Sequence, residues 1–180
     1  MKIFRKIVII IGVIIAIPLI MALFVNKSYA VKESIVINKP KAEVFEYVKL
    51  LKNQNNFSKW ATMDPEMKKT YHGTDGTVGF ISAWESEEDN VGVGEQEILK
   101  IVEGERIDYE LRFIKPFEST QETYMSTESV NGNQTEVTWG FNGEMKYPMN
   151  LMLVFMDFEE MIGDDFQEGL KNLKTIVENN

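Results

Sequence analysis

The sequence predicts an α+β fold: a curved antiparallel β-sheet wrapped around a long C-terminal helix, with two short helices after the first strand and one transmembrane helix in front. Three observations carry this. Ile7 to Val25 are nineteen consecutive residues without a charge. From Lys68 to Phe141, short alternating segments follow one another through tight turns, whereas parallel strands would need long crossovers. From Met149 to Val177, apolar residues recur every three or four positions, which predicts one long amphipathic helix.

At ~1.5 Å per residue the first segment makes a helix ~28 Å long, close to the ~30 Å hydrocarbon core of a bilayer. Lys2, Arg5 and Lys6 precede it. Positive-inside reasoning therefore predicts a cytoplasmic N-terminus (1–6), a membrane span (7–25), a linker (26–30) and an exported domain (31–178), periplasmic or extracellular. Pro18 is compatible, because membrane helices tolerate proline. Two other readings stand beside the anchor. One is a signal peptide cleaved near Ala30, after Ser28-Tyr29-Ala30, although a signal core usually runs only ~7–15 residues. The other is a buried core helix.

Four cations and no acids lie in residues 1–30, so the remainder holds 15 Lys+Arg against 28 Asp+Glu, a net charge of −13. Such a surface repels phosphate backbones and excludes nucleic acid as a natural partner. It also predicts a domain held off anionic headgroups despite its tether. The chain has no cysteine, which removes disulfides, thiolate catalysis and zinc-finger ligation together. Asn26, Asn56 and Asn133 open glycosylation sequons, which matter only in a eukaryotic secretory route; a bacterial host and its envelope are expected.

Within the domain, Val31, Ile35 and Ile37 alternate with polar residues as a first strand. Pro40 opens a helix carrying Val44, Phe45, Val48 and Leu51. A short second helix or loop holds Phe57 and Trp60 before the Asp64-Pro65 break. Six strand segments follow: Lys68–His72, Val78–Trp84, Gly94–Val102, Ile107–Phe113, Glu118–Val130 and the segment of Val137, Trp139 and Phe141. Gly73-Thr74-Asp75-Gly76 and Asn131-Gly132-Asn133 supply turns. The start of the C-terminal helix, Leu151 to Met156, is apolar all round, so it must be buried on several sides, line a cavity or touch a membrane.

Conventional chemistry is scarce. His72 is the only histidine and sits at a strand end, so no Ser/His/Asp triad can form. The acidic tip Glu85-Ser86-Glu87-Glu88-Asp89-Asn90 lacks the register of a calcium loop and predicts a solvated hairpin. Glu160 and Asp164 share a helix face away from the apolar stripe and are expected in solvent. Gly92-Val93-Gly94 lacks a dinucleotide fingerprint and predicts a bend or bulge. No metal or cofactor is expected. The aromatics are the live candidates: Trp60, Phe80, Trp84, Tyr109, Phe113, Trp139, Phe141 and Phe155, with Met152 on the same helix as Phe155. They read either as ordinary core or as a pocket in which rings supply contact area and Trp or Tyr a polar handle. Met145, Met149, Met152 and Met156 would make such a wall adaptable. Alternation groups Tyr109 with Phe113 and Trp139 with Phe141, and leaves the direction of Trp84 open.

The opening Val31-Lys32-Glu33-Ser34-Ile35-Val36-Ile37-Asn38, with Pro40-Lys41-Ala42-Glu43-Val44-Phe45 and Phe57-Ser58-Lys59-Trp60, resembles the START-related helix-grip (SRPBCC) superfamily. The tail from Phe155 to Gly163, with Gly169-Leu170-Lys171-Asn172-Leu173-Lys174, resembles its polyketide cyclase/dehydrase-like branch. The resemblance implies an apolar cavity between the concave sheet and the C-terminal helix, holding a lipid-like or polyketide-like molecule. Three functions follow from it and from the residues. The first is a membrane-tethered monomer binding a small hydrophobic ligand, entered near Trp60 and the Met-rich start of the long helix. The second is an envelope interaction module with a vestigial cavity. The third is a cyclase/dehydrase-type enzyme using Glu or Tyr.

Overall fold

The computed structural model describes residues 1–88 and 90–179; Asp89 of the acidic tip lies outside the described residues. Helix α1 (Lys2–Ala22) leads into β1 (Ser28–Ile37), then α2 (Lys41–Lys49), α3 (Gln54–Phe57) and α4 (Lys59–Met63). Strands β2 (Lys68–His72), β3 (Ile81–Glu85), β4 (Val93–Val102), β5 (Arg106–Lys115), β6 (Ser119–Asn131) and β7 (Gln134–Glu144) follow, and α5 (Met152–Phe155) and α6 (Phe158–Asn179) close the chain. The seven strands form one antiparallel sheet in the order β1-β7-β6-β5-β4-β3-β2. The helix-grip α+β architecture is therefore present, with α6 lying on the face where β1 and β7 meet.

Strand β1 begins at Ser28, three residues before the alternation suggests, because Ser28, Tyr29 and Ala30 pair with Glu144, Gly143 and Asn142. The expected single helix over 149–177 is interrupted. Met156 is extended (φ −126°, ψ 130°), and Asp157 Oδ1 accepts the Glu160 backbone N–H at 2.9 Å. Asp157 with Glu160 three residues on is a helix-start signature, and it re-initiates α6 after the short α5. The sequence between Gly92 and Gly94 does carry the predicted irregularity, a register shift between Val93 and Gly94.

The core is continuous. Val44, Phe45 and Val48 of α2 and Phe166, Leu170, Leu173 and Val177 of α6 bury against Ile98, Ile107, Met125 and Val137 of the sheet. Polar ties fix the helices over it. Asn38 N and Nδ2 both donate to Glu178 Oε1 (2.6 and 2.8 Å), and Lys174 Nζ donates to the Val36 carbonyl (2.7 Å). Lys59 Nζ pairs with Asp165 at 2.6 Å, which holds α4 against α6.

Candidate ligand-binding site

Side chains alternate across a sheet, so the strand registers decide which residues share a face. Trp84 lies opposite Gly94, Gly94 opposite Phe113, Ile98 opposite Tyr109, Tyr109 opposite Thr123, Thr123 opposite Phe141, and Met125 opposite Trp139. Trp84, Tyr109, Phe113, Trp139 and Phe141 therefore all project from the same, concave face as the core. Phe80, whose carbonyl accepts the Ile98 backbone N–H, is fully buried in that core. The direction of Trp84, open in the sequence, is thus fixed by its partner strand.

Trp139 and Trp84 each centre one aromatic group on this face. Trp139 stacks on Phe166 of α6 (4.5 Å between centroids, 10° between planes), with Trp60 and Phe57 edge-on to it at 6.4 and 5.7 Å. Gly169 sits beneath: a Cβ there would lie 2.9 Å from Trp139 Cζ3. The space between α6 and β7 is consequently filled by the chain's own rings. The second group lies toward the other side of the concave face. Trp84 and Phe113 meet edge-on at 6.2 Å over Gly94, whose absent side chain makes the room, since a Cβ would come within 2.5 Å of Trp84 Cζ2. Trp84, Phe113, Leu111, Gln96 and Trp60 are only half-buried although they belong to the concave side. Their half-burial leaves part of the apolar surface of the concave side accessible to solvent. Lys69 Nζ reaches the Ala61 carbonyl (3.3 Å) and Ser86 Oγ donates to Asp64 (2.5 Å), so α4 is tied to the β2–β3 rim.

The polar handles are limited. Trp84 Nε1 donates to the Val91 carbonyl at 3.2 Å, so its hydrogen bond is used within its own hairpin. Tyr109 is sealed, and burial drives its phenol well above the usual value, with the Gln54 side chain opposing. Neither Tyr109 Oη nor Gln54 Nε2 finds a partner in good hydrogen-bond geometry among the described residues. His72, Glu160 and Asp164 are solvent-exposed, as their positions in the sequence predict. Among the described residues, no group of three or more His, Cys, Asp or Glu is placed to hold a metal ion.

Two clefts open elsewhere, at the end of the sheet next to α1. One of ≈ 620 Å³ is lined by residues of β1, β6 and β7, including Gln121, Gly143 and Glu144. The other, of ≈ 540 Å³, lies between Val25, Asn26 and the stretch 153–159. Tyr29 borders both. It packs on Phe141 and Phe158 at 5.9 Å each, and partial burial raises its phenol above the ordinary value. Of the sequence candidates, Phe155 alone lines either of these two clefts, and it stands apart from the other rings, 75% exposed. Met152 is half-buried nearby. Tyr29 escaped sequence reasoning because the strand alternation reads from Val31; the signal available was its two-residue spacing from Val31.

A model of the family described as polyketide cyclase/dehydrase and lipid transport matches residues 29–178. Among curated proteins, nothing matches the sequence. Solved structures do. A truncated norcoclaurine synthase from Thalictrum flavum is 9% identical, covering 85% of this chain and 95% of its own, with a TM-score of 0.64. A Thermobifida fusca protein is 18% identical (83% and 93% covered, TM-score 0.58), and the Aha1 protein of Colwellia psychrerythraea, solved as a dimer, is 16% identical (83% and 96%, TM-score 0.57). At these identities the likeness is one of fold.

Proposed function

Since the chain belongs to the polyketide cyclase/dehydrase and lipid transport family, a family of hydrophobic-ligand domains, we propose that it is a membrane-anchored, non-enzymatic binder of a small lipid-like or polyketide-like molecule. The ligand lies along the concave face, in a groove that this reading places between α4 and the Trp84–Phe113 pair. The single observation that carries this is the one-sided convergence of rings. Every sheet aromatic singled out in the sequence faces the concave side, and the half-buried members leave apolar surface that water now covers. Covering it releases about 25 cal/mol per Å². The Trp139–Phe166 stack forms the closed end of the groove.

The raised phenols of Tyr109 and Tyr29 reflect burial, which keeps them protonated, while the Arg112 guanidinium is held charged by Glu110, Glu97 and Glu95 on the opposite face. Helix α1 serves as the anchor: Ile3–Ala22 has a mean hydropathy of 2.6 and, apart from Ala22 at its end, none of it is buried by the rest of the chain. With Lys2, Arg5 and Lys6 at its N-terminal end, the domain lies outside the cytoplasm.

Photo-crosslinking tests the reading. The full chain is reconstituted in phosphatidylcholine vesicles with a diazirine fatty acid, irradiated and mapped by peptide mass spectrometry. Adducts on residues 106–115, competed by excess unlabelled fatty acid and lost in Leu111→Arg, are expected. Adducts confined to α1 and its neighbourhood would refute a lipid-like ligand in the groove.

A further inference from the structure

The anchor does not end in a free linker. Ala22, at the end of α1, is fully buried, against the single turn Met149–Leu151. Asn150, itself fully buried, donates from Nδ2 to the Ala22 carbonyl (2.8 Å) and the Val25 carbonyl (3.0 Å). Met145 N donates to the Lys27 carbonyl at 2.7 Å. The last carbonyls of a helix have no partner within it, and near hydrocarbon each one left open is costly. The domain supplies that cap, which fixes its own orientation on the helix.

The same junction displays apolar surface. Residues 145–156 carry one charge, Lys146, in a chain that is 26% charged. The sequence leaves three fates for this stretch, and the structure eliminates burial for its tip: Val154, Phe155 and Met156 are exposed, Phe155 to 75%. Leu23 and Phe24, at the end of α1, are exposed alongside, Phe24 to 85%. If Lys6 marks the inner boundary of the hydrocarbon, ~1.5 Å per residue places Ala22 to Val25 at the outer boundary. Asn150 is hydrogen-bonded to that level, so the turn and α5 stand there too.

We propose that the Met149–Met156 segment is a second membrane element, seated in the outer interface of the bilayer that holds α1, with the ≈ 540 Å³ cleft opening onto lipid. This rests on the reading of α1 as a bilayer helix. The occupant is the same bilayer, because the apolar patch is continuous with the lipid-facing helix and is joined to it by the Asn150 cap. Such segments sink about 5–10 Å into the headgroup–acyl boundary. Lys27 and Lys146, both exposed, flank the patch at headgroup level. The acidic β3–β4 tip leaves the same end of the sheet but joins strands four and five positions from β1 in the sheet order, roughly 19–24 Å away at about 4.8 Å per strand. Val25, Tyr29 and Phe158 line the cleft behind the segment together with Asp157 and Glu159, so it joins the bilayer boundary to the domain through a wall that is part apolar and part acidic.

The cysteine-free sequence makes the test direct. Single cysteines replace Phe155, Ile14 in mid-α1, and Asn133 at the far β6–β7 hairpin; each is labelled with an environment-sensitive fluorophore in the full chain in phosphatidylcholine vesicles. Phe155→Cys and Ile14→Cys should both show blue-shifted emission and quenching by doxyl lipids, shallow chain positions quenching Phe155→Cys best, while Asn133→Cys responds only to aqueous iodide. Adding Asn150→Ala should return the Phe155 label to water and leave the Ile14 label in lipid. A water-exposed Phe155 label with a lipid-exposed Ile14 label overturns the proposal alone. Loss of lipid quenching at Ile14 overturns the anchor reading. Shielding of Phe155 that disappears as protein is diluted in lipid identifies a second copy as the occupant and also overturns it.

Discussion

Removing the Phe166 ring attacks the contact by which α6 grips the sheet. Phe166 is 2% exposed and stacked on Trp139 at 4.5 Å, with Trp60 edge-on at 5.8 Å. A buried Phe→Ala change costs about 3–5 kcal/mol, to which each lost aromatic pair adds about 0.5–1.5 kcal/mol beyond area burial. Relaxation of Trp139 and Trp60 into the gap recovers part of this, so we expect about 4 kcal/mol for Phe166→Ala. For a chain of this size each kcal/mol lowers Tm by about 2–4 °C, giving a drop of roughly 8–16 °C. Tryptophan fluorescence of the full chain in nanodiscs reads the transition, and the native emission should shift to the red as two of three tryptophans lose a packing partner. Phe117→Ala, the same chemical change at a side chain 75% exposed, supplies the control, expected within about 0.5 kcal/mol of wild type. If Phe166→Ala matched that control, α6 would not be held to the sheet through this stack, and the closed end of the groove would be misassigned.

Other expectations follow from single contacts. Gly94→Ala puts a Cβ 2.5 Å from Trp84 Cζ2 and 2.7 Å from the Arg112 carbonyl, backbone that cannot swing aside. It should cost about 1–3 kcal/mol, and an unchanged Tm would show that the Trp84–Phe113 pair is not seated over β4. Tyr109→Phe removes a buried hydroxyl without a well-aligned partner, a group that costs about 1–3 kcal/mol when unsatisfied, so it should be neutral or stabilising; a loss above about 1 kcal/mol would reveal a working hydrogen bond. The same phenol is raised in the folded state. Its contribution is complete below the ordinary value of 10.0 and is lost as pH rises above it, because the unfolded chain then releases a proton that the native state retains. Alkaline melting curves should therefore fall less steeply for Tyr109→Phe than for wild type, and parallel curves would contradict the burial. Glu178 is held below its ordinary value, first by the Asn38 backbone N–H. That stabilisation is present above pH 4.5 and is lost on acidification. Wild type and Glu178→Gln should differ in Tm at neutral pH and converge in acid.

The strands were legible where burial is one-sided. Tyr109, Leu111 and Phe113 alternate with Asp108, Glu110 and Arg112 because one face meets the core and the other carries the Arg112 ion pairs. Trp84 was not legible, since β3 is half-buried on both faces and its direction depends on pairing with Gly94, a contact no local pattern encodes. Ser28–Ala30 escaped for the same reason: their place in β1 comes from residues more than a hundred positions away. The break before α6 was legible in principle. The apolar period runs unbroken through Met156 and Asp157, yet Asp157 and Glu160 have the spacing of a helix start, and the cap outweighed the period. Phe155 belongs to the same apolar run, which reads as core or pocket wall in the sequence; the break turns it outward, toward the junction with α1.

Hydrophobic-ligand binding along the concave face is tested most directly by native mass spectrometry of the full chain, purified from its own membranes and stripped of bulk lipid, beside the Leu111→Arg variant. Retention of one apolar compound per wild-type chain, absent from the variant while its Tm stays within a few degrees, is the predicted result. An empty wild-type chain, or an identical adduct on both proteins, would contradict a ligand in the groove.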